Sequence, residues 1–374
     1  MNKESGAGNH PYGGINDMKQ KRITDLRREK GLDAVLVTNP LNVRYISGCT
    51  ADTGCLYLSD TSCVFLTDSR YTTQAQEECG GRFTVCEIKG RNGYTDALEL
   101  YMKQDAVCNI GFEDEVMTWA EARRYQQKLP EKEWIPLQDA LDQLRVIKSE
   151  EELERIARAE SIGDAAFSHI LEVLRPGMTE LQVAAELEYF MKNAGATKLS
   201  FDTIAASGLH SAMPHAVPQD KELAEGDFLT MDFGCVYQGY CSDMTRTVVI
   251  GKASAKQKEI YQVVLTAQQA ALDSIRAGRT GSEIDRIARN IIKDAGYGDY
   301  FGHGLGHSLG LFIHEEPRLS ALDDTVLCEN MVETVEPGIY LPGFGGVRIE
   351  DVVVVTKSGC RNLTRSPKEL IEIG

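Results

Sequence analysis

Five side chains in the last third of the chain are of metal-ligating type: Asp232, Asp243, His307, Glu336 and Glu350. Each lies in a run that reads as buried: FLTMDFG, CSDMTRTVVI, GHSLGLFIH, MVETVEPGIY and GGVRIEDVVVV. An ionised carboxylate among apolar strand residues is costly unless something neutralises it. Four carboxylates and a neutral imidazole carry a charge of about −4, which two divalent cations cancel. The chemistry to expect is that of a dinuclear hydrolytic centre, which makes the chain an enzyme. The competing reading is structural, because strand-end acids commonly accept backbone amides or pair with arginine. Arg246 and Arg348 are near in sequence, but they answer only two of the four acids.

Asp232 and Asp243 flank GCVYQGYC, whose Gly234 and Gly239 suit a hairpin or bulge. Doubling back there can bring both acids to one place. In VRIED, Arg348 and Glu350 stand two apart and so share a strand face. Arg348 then either orients ligand carboxylates or holds substrate. GHGLGHSLG puts His303 and His307 at i and i+4, which on a helix would make both of them ligands. Gly302, Gly304, Gly306 and Gly310 argue against a regular helix, so the spacing does not establish shared ligation. His314 in LFIHEEP and His215 in HSAMPHAVP add two more imidazoles, although a lone histidine in an apolar stretch is more often a satisfied core residue. Four oxygen donors and one nitrogen favour hard or borderline ions such as manganese, cobalt or iron(II), with zinc as an alternative. Two such ions about 3.5–4 Å apart can bridge a water, lower its pKa and clamp a tetrahedral intermediate. A nearby carboxylate then takes the proton, while histidines stabilise the oxyanion or protonate the leaving amine.

The elements that must hold these residues fall into two domains, the expectation for 374 residues. Residues 18–140 alternate helix and strand signals and read as an α/β domain. Helical patterns cover 19–29, stopped by Gly31, and also 72–78 and 118–128; strand-like runs cover 34–38, 55–58 and 63–66. The acidic run SEEELERIARAE, with Ser149 as a candidate N-cap, leads into the second domain, 141–374. That domain carries an internal echo. RPGMTELQVAAELEYFMKNAG (175–195) aligns without a gap to RAGRTGSEIDRIARNIIKDAG (276–296), an offset of 276 − 175 = 101, with six identities. Both copies read as a Gly turn, a Thr N-cap, a helix and a Gly stop, which points to two similar halves with a site between them.

Composition narrows the function classes. Hydrophobic residues make up 42% and charged residues 26%, as in an ordinary globular protein. A net charge of −16 argues against nucleic acid or an anionic membrane as partner. No segment approaches the ~20 apolar residues that span a bilayer. Residues 1–17 are polar and glycine-rich, without the apolar stretch of a secretory signal, and are expected to be a disordered lead-in; Met18 offers a second start. None of the ten cysteines forms a C-x-x-C pair, and Cys49, Cys55, Cys63, Cys235 and Cys328 sit in apolar runs. Reduced core thiols in a cytoplasmic protein are the expectation.

MDFGCVYQGYCSDMTRT, GHGLGHSLGLFIHEEP, TVEPGIY and GVRIED resemble the signature blocks of the M24 "pita-bread" metallopeptidases, in the branch holding prolidase and aminopeptidase P. NPLNVRYISG (39–48) and LTDSRYTTQAQEE (66–78) resemble the creatinase/prolidase N-terminal domain, so the likeness covers nearly all of 18–373. It implies an α+β chain: a C-terminal pita-bread fold with an internal pseudo-twofold duplication, preceded by the smaller α/β domain. It implies two divalent metal ions, manganese first with cobalt or zinc as alternatives. Asp232, Asp243, His307, Glu336 and Glu350 match the ligand positions, and His303 lines the site without ligating. His215 and His314 match two active-site histidines that contact substrate and intermediate, and Glu336 matches the carboxylate credited with accepting a proton from a metal-bridging hydroxide. Arg348 matches a site arginine, and Arg318 a residue that holds the substrate's terminal carboxylate in prolidases. A homodimer is implied by the resemblance alone.

The reaction so implied is hydrolysis of the peptide bond before proline, a tertiary amide whose cis and trans forms lie close in energy. Its pocket must pack the pyrrolidine ring, and His215, His303 and either Leu209 or Phe312 are candidates to line it. An Xaa-Pro dipeptidase is favoured because the chain is short for the longer aminopeptidases; the alternative is an Xaa-Pro aminopeptidase acting on longer peptides. A methionine aminopeptidase normally lacks the first domain. A metal-free creatinase-like hydrolase would leave four acids repelling one another. A non-catalytic peptide-binding module would have lost ligands, and this chain has kept all five.

Overall fold

The computed structural model describes residues 13–90 and 92–374 and divides the chain into two compact units, Met1–Arg145 and Val146–Gly374. Of the expected lead-in, residues 1–12 lie outside the described residues, whereas 13–17 already belong to the first helix, α1 (Gly13–Glu29). Gly31, at φ +65°, turns the chain after it. β1 (Ala34–Val37) follows, then α2 (Pro40–Ser47), which the Asn39 side chain caps by accepting the Leu41 N–H and which Gly48 ends at φ 71°. β2 (Cys55–Ser59), β3 (Cys63–Thr67), α3 (Thr72–Cys79), β4 (Thr84–Glu87), α4 (Gly93–Gln104), β5 (Asn109–Phe112), α5 (Trp119–Lys128) and β6 (Glu133–Pro136) complete the unit. The strands form one sheet in the order β4-β3-β2-β1-β5-β6, antiparallel only at β1–β2 and β2–β3. Leu36, Tyr57, Leu66, Leu98 and Met102 are among the residues of its core.

All ten cysteines are free thiols. Cys63 and Cys328 depart from the expectation of core thiols: both are exposed, Cys63 because it opens β3 before the buried run begins. Among the described residues no helix is long and apolar enough to cross a membrane.

The second unit starts with α6 (Glu150–Val173), capped as predicted by Ser149 in a reciprocal box with Glu152. α7 (Glu180–Asn193), β7 (Lys198–Leu199), β8 (Ile204–Ser207), β9 (Phe228–Phe233), β10 (Cys235–Tyr237), β11 (Tyr240–Cys241) and β12 (Met244–Ile250) follow. The second half holds α8 (Ala255–Ser274), α9 (Gly281–Asp294), β13 (Gly306–Ser308), β14 (Glu315–Leu319), β15 (Val332–Val335), β16 (Gly338–Leu341), β17 (Gly345–Arg348), β18 (Asp351–Val355), β19 (Cys360–Asn362) and β20 (Glu372–Ile373). One sheet runs β20-β12-β9-β8 and a second β14-β13-β15-β18-β19, with β11-β10-β7 and the ribbon β16-β17 beside them. Leu229, Met231 and Phe233 of β9, with Met244, Val248 and Ile250 of β12, pack on α6 and α7. On the second sheet Val335, Val353 and Val355 pack with residues of α8 and α9.

The duplication extends beyond the aligned segments. Thr179 and Thr280, 280 − 179 = 101 apart, both close capping boxes, and Gly177 and Gly278 precede them at φ +84° and +87°. The Gly177 amide donates to Leu223 O and Leu223 N to Met178 O; the same two bonds join Gly278, Leu327 and Arg279. The acids then fall into pairs. Asp232 is the fifth residue of β9, and Glu336 is the fifth counted from the start of β15; Asp243 immediately precedes β12, and Glu350 immediately precedes β18. One repeated hairpin pattern, used twice, supplies all four carboxylates.

Candidate metal centre

Strand alternation puts the ligand face opposite the helices. With Leu229, Met231 and Phe233 turned into the α6–α7 core, Thr230 and Asp232 must point the other way. β9 and β12 pair antiparallel with Asp232 opposite Thr245. The connection between them is the predicted hairpin: Gln238 and Gly239 both adopt positive φ, 49° and 95°, the requirement of a tight two-residue turn between β10 and β11. Gly234 allows the returning chain to lie close, since a Cβ there would sit 2.0 Å from Ser242 O. Asp243 follows directly and is 5% exposed, with its backbone amide donating to Glu160 Oε1 at 2.8 Å.

His307 lies on β13, opposite Arg318 of β14. The chain from His303 to His307 is not helical, so the two histidines do not share a helix face. His307 Nδ1 donates to Ser308 O at 3.1 Å, which leaves Nε2 with its lone pair 3.6 Å from Asp243 Oδ2 and 3.4 Å from Glu336 Oε1. Burial pushes its pKa down to about 3, so the ring is neutral and suited to ligation. His303 has a different position. Arg348 Nη1 donates to Tyr340 Oη (3.0 Å), Tyr340 Oη to His303 Nε2 (2.9 Å), and His303 Nδ1 to Gly304 O (2.8 Å). With both nitrogens committed, His303 offers a substrate only its ring.

Arg348 and Glu350 do converge, but not along one strand: β17 ends at Arg348 and β18 begins at Asp351, with Glu350 in the break. Thr245 joins them, accepting from Arg348 Nε at 3.0 Å and donating to Glu350 Oε2 at 2.7 Å. Arg348 Nη2 donates to Asp232 Oδ2 at 2.5 Å, so every guanidinium nitrogen is held by protein acceptors. Arg246 answers none of the four acids; it pairs with Asp351 at 2.8 Å and with backbone carbonyls. One acid of four has an arginine.

The remaining charge is uncompensated. Asp243 is held well above the usual carboxylate range, by burial first and then by the charges of Glu350, Asp232 and Glu336. Glu350 is raised likewise by burial and the charges of Glu336 and Asp232, and Glu336 rises to about 7 mainly through burial. Asp232 Oδ1 and Glu350 Oε1 are buried without any hydrogen-bond partner. Asp243, His307 and Glu350 each present a ligand atom within 4.8 Å of the others. Orphaned oxygens, mutually repelling acids and a free imidazole nitrogen fit a cluster of divalent cations.

All five line one cavity of about 530 Å³ in the second unit, together with His215, His303, His314, Arg318 and Arg348. The His314 ring stands edge-to-face on His307, centroids 4.6 Å apart, and its pKa is lowered by burial and then by Arg318. Arg318 donates through Nε to Glu316 at 3.2 Å and is half-exposed. The apolar wall differs from the expectation: Phe201, Ile204, Pro214 and Val217 line the cavity, whereas Leu209 and Phe312 do not. Thr245 and Tyr340 were passed over by sequence reasoning, although Thr245 stands two residues beyond Asp243 and Tyr340 four beyond Glu336.

Residues 154–357 match metallopeptidase family M24, and residues 19–147 match the creatinase/prolidase N-terminal domain. The chain is 41% identical over 359 residues to an Xaa-Pro dipeptidase of Pyrococcus horikoshii, covering 96% of this chain and 99% of that one. Among solved structures it is similar to an Xaa-Pro dipeptidase from Bacillus anthracis, at 43% identity and a TM-score of 0.92 over 96% of this chain and 99% of the other. An X-Pro aminopeptidase from Thermotoga maritima MSB8 is similar at 40% identity and a TM-score of 0.87, over 93% and 100%. With its catalytic segment and its N-terminal domain both matched, the chain belongs to metallopeptidase family M24.

Proposed function

We propose that this protein is an Xaa-Pro dipeptidase that works with two divalent metal ions, manganese first among the candidates. The observation that carries the reading is the closed group of four carboxylates and one neutral imidazole, three of whose acids are raised by burial and mutual charge. Asp232, Asp243, His307, Glu336 and Glu350 would hold the ions, which when bound lower the pKa of water and polarise the scissile carbonyl.

The chain's own residues do the rest. Arg348 and Thr245 fix Asp232 and Glu350, so the ligand cage is set by hydrogen bonds before any ion arrives. Thr334 donates to Glu336 Oε1 at 3.2 Å, leaving Oε2 to receive a proton and pass it to the proline nitrogen as the bond breaks. His314, kept neutral by its lowered pKa, can donate a hydrogen bond to the oxyanion from the cavity wall, with His215 beside the same space. Phe201, Ile204 and Pro214 supply an apolar surface for the pyrrolidine ring.

The dipeptide reading rests on charge and size. Arg318 has terminal nitrogens without a partner among the described residues, and Asp202, also on the cavity wall, forms no ion pair among them. A cavity of about 530 Å³ with the terminal nitrogens of Arg318 and the carboxylate of Asp202 both on its wall suits a short zwitterion. Relatives named for the dipeptide reaction, from Pyrococcus furiosus and Bacillus anthracis, support it at 40% and 43% identity. Metal content tests the centre: the native chain should retain two manganese ions, and Asp243→Asn should lose metal and at least about 100-fold in turnover while keeping its circular dichroism. Full turnover by that variant would contradict the dinuclear assignment.

A further inference from the structure

Lys148 is a buried ammonium that the metal chemistry does not use. It stands immediately before Ser149, the cap of α6, and its amide donates to Asn330 O at 3.0 Å, so the side chain starts from a fixed base. Its Nζ donates to Ser308 Oγ at 3.0 Å and to Glu315 Oε2 at 3.3 Å; Lys148 and Glu315 are 3% and 7% exposed. Ser308 directly follows His307, and Glu315 directly follows His314. The two contacts fall where the β13–β14 ladder is irregular. Gly306 pairs with Leu319 and His307 with Arg318, but Ser308 pairs with Glu315, so the register passes over Glu316 and Pro317. The other Glu315 oxygen accepts the Phe312 amide at 3.2 Å, and Gly310 leaves room for the carboxylate, since a Cβ there would lie 2.7 Å from Oε2. Glu333 pairs with Ser308 from β15, yet neither of its buried oxygens has a hydrogen-bond partner, and burial holds its carboxyl well above the usual range. Glu315 is therefore the acid that answers the ammonium.

We infer that Lys148 is a positioning residue: by bonding Ser308 and Glu315 together it fixes His307 and His314 relative to one another from behind the cavity wall. This role rests on the proposed dipeptidase reading, in which His307 holds metal and His314 meets the oxyanion. His307 and His314 line the cavity, whereas Lys148, Ser308 and Glu315 do not. The two imidazoles pack edge to face with centroids 4.6 Å apart, so a shift of either strand separates them. A regular ladder would hold such strands in register. Here the register skips two residues, and one ammonium spanning both strands takes the ladder's place. An ammonium has three donors and can serve a hydroxyl and a carboxylate at once. Both charges are buried, so neither partner has water to turn to and the pair stays closed. Small displacements matter at His314, because a hydrogen bond to an oxyanion acts only at the right distance.

The double variant Lys148→Met/Glu315→Gln tests this, because it removes both charges at similar volume and leaves no lone buried charge. Three quantities are measured on the full-length protein: manganese affinity by calorimetry, kcat and KM for Leu-Pro, and the histidine ring-nitrogen resonances of chelator-treated protein. The expected results are a manganese affinity about 10-fold weaker and a kcat about 10-fold lower with KM within about 2-fold. The ring signals of His307 and His314 should move, while those of His169, near the far end of α6, should not. Unchanged ring signals in a folded double variant overturn the inference, and so do native kcat and manganese affinity. A merely structural pair would lower the melting temperature and nothing else. Should the double variant not fold, Glu315→Asp keeps the charge and shortens its reach; the same three measurements should move in the same directions, and native values overturn the inference. If the native enzyme leaves Leu-Pro intact, the dipeptidase reading fails, and the manganese affinity and ring signals still decide the role of Lys148.

Discussion

At the scale of single residues, the centre is an electrostatic problem that a metal solves. Glu336 is raised from 4.5 to about 7, and Asp243 and Glu350 move in the same direction. An acid raised in the folded state binds its proton more tightly there than in the unfolded chain. Its stabilising contribution is complete below about pH 4.5 and is lost as pH climbs through about 7. For Glu336 alone the difference is on the order of 3 kcal/mol. Chelator-treated protein should therefore lose stability between these pH values in denaturant melts, and manganese should abolish most of the slope while releasing protons. An unchanged slope in the presence of manganese would mean these acids do not meet the ion. The histidines divide by their partners: His307 keeps a free Nε2, whereas both nitrogens of His303 are held. His314→Ala should reduce kcat by about 100-fold with metal content intact; loss of metal instead would make His314 a ligand.

At the scale of elements, the site depends on hairpins whose registers were partly visible in the sequence. The acids, the GCVYQGYC turn and the 101-residue offset could all be read, because each leaves a local mark: a polar residue in an apolar run, a glycine pair, a capping threonine. The equivalence of Asp232 with Glu336 and of Asp243 with Glu350 could not, since unequal loops between helix and strand shift the offset from 101 to 336 − 232 = 104, and unequal hairpins, 243 − 232 = 11 against 350 − 336 = 14, shift it again to 350 − 243 = 107. Elements too short to show a period were also missed. α2 has eight residues, and β4, β5 and β6 have four each, set by their place in the sheet more than by their own pattern. The Arg348–Tyr340–His303 chain was hidden for another reason: it joins side chains 37 residues apart that only tertiary packing brings together. The β10–β11 turn gives the test at this scale. Gly234→Ala places a methyl against Ser242 O and should cost on the order of 3 kcal/mol while pulling Asp243 from Asp232. Thermal melts and manganese titration should fall together, and a variant with native affinity would show that the close approach at Gly234 does not set the ligand geometry.

At the scale of the whole molecule, the catalytic unit is a duplicated scaffold that places two acids from each half around one cavity. That cavity has the proposed metal-ligating group, an arginine whose terminal nitrogens have no partner among the described residues, and an apolar wall. The relatives at 40% to 43% identity are named Xaa-Pro dipeptidase in some cases and X-Pro aminopeptidase in another. The proposed role of Arg318 bears on which of the two this chain is. If Arg318 reads the carboxylate of proline itself, a residue added beyond proline both removes that charge from reach and meets the wall. The direct test is a competition assay in which manganese-loaded enzyme receives equal amounts of Leu-Pro and Leu-Pro-Pro and both are followed by mass spectrometry. The dipeptide should disappear while the tripeptide persists. Comparable or faster cleavage of Leu-Pro-Pro would contradict the dipeptidase reading and make the protein an Xaa-Pro aminopeptidase.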